Sequence, residues 1–171
     1  MTAIKTLIVA AFVVCALGCG FAPDVTSRYA VPLEDELQAH IVELSQEAEI
    51  DPAVVFAVIE VESRYEVNAM GDSGRAYGLM QVQERWHRER MADLGVTNLL
   101  DPYQNVSVGI DYLAECIAHN DGNVEMGLME YNAGALGARR MWFDHGVYTN
   151  HYSQKVLGLV QKIAEGAYAD A

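Results

Sequence analysis

Glu62 is the side chain best placed to do chemistry. It closes the run Ala53-Val54-Val55-Phe56-Ala57-Val58-Ile59-Glu60-Val61-Glu62, which is apolar almost throughout. A carboxyl group held against apolar neighbours loses hydration in its charged form, and its pKa rises. An acid kept protonated near neutral pH can give its proton to a leaving oxygen. Taken alone, an acid at a helix end is more often an exposed and idle surface group. Glu60 is a rival two positions earlier, turned by that spacing to a different face of a helix.

The elements that must position Glu62 are legible as helices. Asp51-Pro52 is a start signal, since Asp caps free amides and Pro fits the first turn. The helix it opens is apolar on nearly all sides and is expected at the domain centre. Upstream, Pro32 opens the folded part, and Leu33, Leu37, Ile41, Leu44 and Ala48 form one amphipathic face. Residues 68–76 read as a Gly- and Ser-bearing loop, with a helix predicted from near Tyr77 toward Asp93. Asp101-Pro102 repeats the start signal, Val106, Ile110, Leu113 and Ile117 give a core face, and Asn120-Asp121-Gly122 ends it. Asn123 is expected to cap a short helix through Asn132, stopped near Gly134. Residues 135–148 show no readable pattern. Thr149 or Asn150 caps a last helix that turns Tyr152, Val156, Leu159 or Val160, and Ile163 inward. No strand alternation is evident, so the fold class expected is mainly α and compact, without internal repeats.

The bulk properties bound the function. A chain of 171 residues, 51% hydrophobic and 20% charged, suits one globular domain. A net charge of -13 argues against nucleic acid as a partner, because phosphate binders cluster Lys and Arg. It argues equally against electrostatic adhesion to an anionic membrane or wall. Residues 1–22 read as a targeting segment: Lys5 precedes an uncharged run from Thr6 to Ala22. Ala16-Leu17-Gly18-Cys19 resembles a lipobox, with Ala16 where that motif usually has Leu. On this reading residues 1–18 are a lipoprotein signal and Cys19 is lipidated. Cleavage after Ala22 and an uncleaved signal anchor are the alternatives. Residues 23–31 read as a linker and 32–171 as the domain. Cys116 is then the domain's lone cysteine, expected as a small core residue, and the five histidines form no metal-ligand pattern.

Further motifs raise the standing of Glu62. Glu62-Ser63-Arg64-Tyr65 is followed by Asn68-Ala69, Gly78-Leu79-Met80-Gln81-Val82, Leu100-Asp101-Pro102 with Asn105-Val106, Tyr112-Leu113, Glu130-Tyr131-Asn132-Ala133-Gly134, and Tyr152 with Lys155-Val156. In this order they resemble the catalytic domain of the soluble-type (SLT) lytic transglycosylases of the lysozyme-like superfamily. The resemblance covers about Asp51 to Val160. It implies a lysozyme-like helical domain of the goose-type/SLT kind acting on peptidoglycan strands, with no metal or organic cofactor. By resemblance Glu62 is the single catalytic acid and base. It protonates the oxygen leaving N-acetylmuramic acid (MurNAc), whose β-1,4 bond to N-acetylglucosamine (GlcNAc) breaks, and the sugar's own C6 hydroxyl closes a 1,6-anhydro ring.

The resemblance also assigns roles around the cleft. Gln81 would hydrogen-bond glycan and Met80 would pack along a sugar face. Ser73 would contact the N-acetyl group, Tyr131 and Asn132 would lie on the cleft wall, and Tyr152 would reach Glu62 or its substrate. Ordinary packing, turn chemistry and helix capping are the bland alternatives for each. Trp86 and Trp142 are either sugar platforms or partly buried core residues. Glu130 departs from the family, which has Ala there, and adds a second acid expected near the cleft. Two other functions stand beside the first. One is a muramidase on the same fold, with Glu130 or Asp72 activating water. The other is a non-catalytic glycan-binding or assembly protein. An exported enzyme of this kind belongs in the cell envelope, anchored through an N-terminal lipid or signal anchor where one is kept, and with envelope machinery among its candidate partners.

Overall fold

The computed structural model describes residues 29–166. The targeting segment and Cys19 lie outside the described residues. The chain forms α1 (Asp35–Glu47), α2 (Pro52–Ser63), β1 (Met70–Gly71), β2 (Ala76–Tyr77), α3 (Glu84–Asp93), α4 (Pro102–His119), α5 (Val124–Arg139), a π-helical turn (Arg140–Asp144) and α6 (His151–Ala164). It is a mainly α domain, as the sequence suggests. β1 and β2 make a minimal antiparallel hairpin, Met70 opposite Tyr77 and Gly71 opposite Ala76. Among the described residues no helix is long and apolar enough to cross a membrane.

α2 is the central helix. Ala53, Val55, Phe56, Ala57, Val58 and Ile59 are completely buried, and α1 and α6 pack against it. Asp51 caps it, accepting from the Ala53 amide at 2.9 Å. It ends abruptly: Arg64 and Tyr65 both take left-handed backbone angles, with φ of 53° and 63°. The Tyr65 hydroxyl reaches back to donate to the Phe56 carbonyl at 3.1 Å, which pins the reversal. Such angles cost a non-glycine residue roughly 1–3 kcal/mol, so the surrounding packing must hold them. The outcome is a rigid helix that stops one residue past Glu62.

α4 and α5 form the second wall of the core. Gly127 lets them approach closely, since a Cβ there would meet the Ile117 main chain at 2.9 Å. Gly109 on α4 makes room for Met80, whose Sδ would lie 2.5 Å from a Cβ at that position. For α6 the cap is Asn150 rather than Thr149. Asn150 accepts from the Ser153 amide at 2.8 Å, and Ser153 Oγ accepts from the Asn150 amide at 3.1 Å.

Three elements depart from expectation. The helix predicted from near Tyr77 begins at Glu84, because Gly78 and Gln81 have φ of 68° and 48° and cannot sit in a right-handed helix. Residues 77–82 form a tight turn instead, in which Tyr77 and Val82 exchange backbone hydrogen bonds of 3.0 Å. Gly134, at φ 69° and ψ 160°, breaks α5 where the sequence places its stop, but a second helical stretch follows to Arg139 within residues that showed no readable pattern. Within the stretch read as a linker, Tyr29 and Val31 are buried, and the Tyr29 ring lies 4.9 Å from that of Phe56.

Candidate active site

Glu62 sits at the end of α2 in the wall of a cleft of about 850 Å³. One side of the cleft is made by the hairpin and the 77–82 turn, another by α3 and α4, and the last by α5 from Tyr131 to Leu136. Glu62 is half-buried. Burial raises its pKa above the ordinary 4.5, while a hydrogen bond from Tyr152 and the charge of Lys155 draw it part of the way back. The Tyr152 hydroxyl donates to Oε1 at 2.6 Å. A carboxyl so placed keeps its proton to higher pH than a surface acid, and its charged form has a donor waiting. Glu60, the rival, is on the same helix, and one of its oxygens is buried without a hydrogen bond. It is not part of the cleft lining.

The floor beneath Glu62 is fixed by two buried polar groups. Asn105 on α4 is completely buried. Its Nδ2 donates to the Tyr77 and Leu99 carbonyls at 2.7 and 2.9 Å, and its Oδ1 accepts from the Met80 amide at 2.9 Å. Two of these three bonds hold the 77–82 turn, and the third ties it to Leu99. Tyr131 donates to the Met80 carbonyl at 2.8 Å and ties α5 to the same turn. Burial, and secondarily the Glu62 charge, push the hydroxyls of Tyr131 and Tyr152 well above 10, so both remain proton donors.

The residues singled out in the sequence separate clearly. Tyr131, Asn132, Gln81 and Glu62 line one cleft, and Tyr152 reaches Glu62 from α6. Asn132 is exposed on α5, in the last turn before the break at Gly134. Gln81 uses Nε2 on the Ala69 and Gly78 carbonyls at 3.3 and 3.0 Å, with Oε1 filling the space over Gly71. Ser73 is exposed at the hairpin tip, with φ of 57°, beside Asp72, which does line the cleft. Met80 is corrected: at 1% exposure it cannot lie along a sugar face. Its side chain packs over Gly109, and its main chain serves the site by holding Tyr131 and Asn105. Glu130 is corrected as well. It is 5% exposed, and its carboxylate is spent on His119 Nδ1 at 3.0 Å and Asn120 Nδ2 at 2.8 Å, at the end of α4.

Four titratable cleft residues carried no functional reading in the sequence. His87 and Arg90 come from α3, and Tyr112 and Glu115 from α4. The His87 and Tyr112 rings lie 4.5 Å apart. Burial first, and then the Arg90 charge, lower the His87 pKa to about 4, so the ring is neutral in the physiological range. Arg90 pairs with Asp111 at 2.7 Å and with Glu115, and stacks 5.2 Å from the Tyr112 ring centre. Behind them burial pushes the Cys116 thiol up to about 12, which leaves it unreactive. The signal in the sequence is only indirect, the weak apolar periodicity of α3, and in the structure Met91 is the one residue of that helix that is buried. Among the described residues no three His, Cys, Asp or Glu side chains gather as a metal site requires.

The chain is similar to several known proteins. The model of the transglycosylase SLT domain matches residues 40–146. Lysozyme G of Dromaius novaehollandiae is 27% identical over 147 residues, which is 78% of this chain and 69% of that protein. The transglycosylase of Enterobacteria phage PRD1 is 33% identical over 113 residues, 66% of this chain and 38% of its own length. Among solved structures, an inactive mutant of the lytic transglycosylase Slt from Pseudomonas aeruginosa superposes with a TM-score of 0.63 at 22% identity. That match covers 78% of this chain and 24% of the Slt chain, and it shows a shared fold.

Proposed function

The chain belongs to the transglycosylase SLT domain family of glycan-cleaving enzymes, and on that premise we propose that it cleaves the MurNAc–GlcNAc β-1,4 bond of peptidoglycan with Glu62 as its one acid and base. Protonated Glu62 gives its proton to the glycosidic oxygen as the bond from that oxygen to C1 breaks. The N-acetyl carbonyl of the same MurNAc supports the positive charge at C1. Glu62, now a carboxylate facing the Tyr152 hydroxyl and the Lys155 charge, takes the proton of the C6 hydroxyl as O6 bonds to C1. One C–O bond breaks, another forms, and no water is consumed. The attack is intramolecular, which gives the C6 hydroxyl a large effective concentration over water.

The observation that carries this reading is the pairing of a half-buried, pKa-raised Glu62 with the Tyr152 hydroxyl at 2.6 Å. The engagement of Glu130 by His119 and Asn120 supports a single-acid route, because it removes one candidate base. Mass spectrometry of muropeptides released from purified peptidoglycan is the test: 1,6-anhydroMurNAc ends are expected, and reducing muramic acid ends would refute it. A hydrolase is the second reading, favoured by the lysozyme G relative and by Asp72 in the cleft lining. Against it, Asp72 is bound by Arg75 at 2.7 Å. If the products are reducing and Asp72→Asn abolishes them, the enzyme is a muramidase.

Export to the cell envelope belongs to the same proposal, with Cys19 as the lipidated residue. Two or three acyl chains anchor stably where one does not. Cys19→Ser then releases the protein from the membrane fraction, and a fatty-acid analogue labels the wild type alone. An unlabelled wild type would leave the signal-anchor and secreted alternatives.

A further inference from the structure

Trp86 stands on the lip of the cleft and is 70% exposed. Large aromatic rings are normally drawn inward, and the second tryptophan, Trp142, obeys this at 5% exposure. Trp86 is nevertheless held in place. The Arg85 guanidinium lies 4.7 Å from its ring centre. Arg85 in turn donates from Nε to Gln83 Oε1 at 3.1 Å and comes within 4.0 Å of the Asp72 carboxylate. Asp72, Gln83 and Trp86 all line the cleft. One face of the indole is thus covered by a cation that leans toward the hairpin, and most of the ring surface is open to solvent. The far lip presents a second exposed apolar side chain, Leu136, at 67%. Between these lips the floor is polar, with Gln81, His87 and Tyr112.

A β-1,4-linked N-acetylhexosamine ring has the complementary surface. Its axial C–H bonds make one or both faces apolar, while its hydroxyls and acetamido group project polar hydrogen-bonding edges. We infer that Trp86, covered on one face by Arg85, is a stacking platform for one N-acetylhexosamine ring of the glycan, on the α3 lip of the cleft that holds Glu62. The cation–π brace fixes the ring before substrate arrives, which lowers the ordering cost of binding. Trp86 is a binding and positioning residue. It moves no proton, so its loss weakens ground-state and transition-state binding alike and raises KM with kcat little changed. This inference deepens the glycan-cleavage reading and rests on it for the identity of the ligand.

Trp142 is buried, so accessible tryptophan fluorescence reports on Trp86. The experiment titrates the full chain carrying Glu62→Gln with tetra-N-acetylchitotetraose, which binds without turnover, and follows emission and acrylamide quenching. A blue shift and protection from quencher are expected. Calorimetry on Trp86→Ala in the same background is expected to show affinity down about tenfold, with Trp86→Phe retaining most of it. Arg85→Ala should fall between, because the ring loses its brace. On peptidoglycan with active Glu62, Trp86→Ala should raise KM severalfold and leave kcat within about twofold. Saturable binding with unchanged Trp86 emission, or equal affinity in Trp86→Ala, overturns the platform even if the wild type releases anhydro products. No oligosaccharide binding at all overturns it too. Reducing products alongside a protected Trp86 would overturn the transglycosylase reading and leave the platform standing.

Discussion

The Tyr152 hydroxyl donates a 2.6 Å hydrogen bond to Glu62 Oε1 across 90 residues of sequence, joining α6 to the end of α2. Together with Lys155 one turn further along α6, it draws the Glu62 pKa back toward the ordinary range against the upward push of burial. Tyr152→Phe removes the larger of those two influences. The Glu62 pKa then rises further, and the alkaline limb of the kcat/KM profile moves to higher pH. A hydrogen bond to a charged group is worth roughly 1.5–3 kcal/mol, so the maximal rate should fall about tenfold or more as the carboxylate loses its donor. Lys155→Ala should shift the limb in the same direction by less. A limb that moves to lower pH in either variant would mean that Glu62 is not the titrating acid.

Glu62→Gln separates catalysis from folding. Gln keeps the shape and the contact with Tyr152 but has no proton to give, so cleavage should fall by roughly 10²–10⁴-fold or below detection. Its effect on stability has a defined sign. The folded-state pKa of Glu62 lies above 4.5, so the folded protein keeps a proton that the unfolded chain has already released. Stability contributed by this group is full below pH 4.5 and declines as pH rises through the raised pKa. Glu62→Gln escapes that decline. Its denaturation midpoint should exceed that of the wild type near pH 7, and the gain should shrink toward pH 4. A variant less stable than the wild type at both pH values would contradict the desolvation of Glu62.

The helices that position Glu62 were legible because each carries its own start signal. Asp51, Asp101 and Asn150 all cap as their residue types dictate. Glu62 was legible because an acid closing an apolar run is rare, and the ordered motifs around it pointed to one family. What failed did so for tertiary reasons. Gly78-Leu79-Met80-Gln81 reads as helix by composition, yet the buried Asn105, 25 residues from Met80, claims its backbone for a turn. Met80 is apolar and could have faced a sugar; only the missing Cβ of Gly109 shows why it turns inward. His87 and Arg90 could not be found from pattern, because they belong to a largely exposed helix and acquire their setting from α4.

Asn105 offers a test of how the site is built from beneath. Asn105→Ala would orphan the Tyr77 and Leu99 carbonyls and the Met80 amide in a fully buried place. Each unsatisfied buried group costs about 1–3 kcal/mol, so a loss on the order of 3 kcal/mol or more is expected. The turn also carries Gln81 and receives the Tyr131 hydroxyl, so activity should fall further than the unfolded fraction explains. Asn105→Asp keeps the acceptor for Met80 and loses the donors, and should lie between. The measurements are chemical denaturation and specific activity at a temperature where the variants remain folded. Full stability in Asn105→Ala would show that the turn holds without this residue.

Glu130 decides between one carboxylate and two. It stands beside Tyr131-Asn132, where sequence alone makes it a candidate for a water-activating base. In the fold it is 5% exposed and accepts from His119 Nδ1 at 3.0 Å and Asn120 Nδ2 at 2.8 Å. The Asn120 amide also donates to the Cys116 carbonyl at 2.7 Å, so the acid is stitched into the last turn of α4. A base for water must present a free lone pair to the cleft, and this carboxylate has turned both oxygens the other way. Glu130→Gln keeps one acceptor oxygen but sets an NH₂ donor against a donor, which should cost about 1–3 kcal/mol of stability. The muropeptide products should be unchanged, with anhydro ends from wild type and variant alike, and the rate at a permissive temperature should stay within a fewfold. Thermal denaturation and mass spectrometry of the digest read the two effects separately. Reducing ends from the wild type that disappear in Glu130→Gln would reverse the assignment, because only a residue that activates water controls the choice between hydrolysis and ring closure.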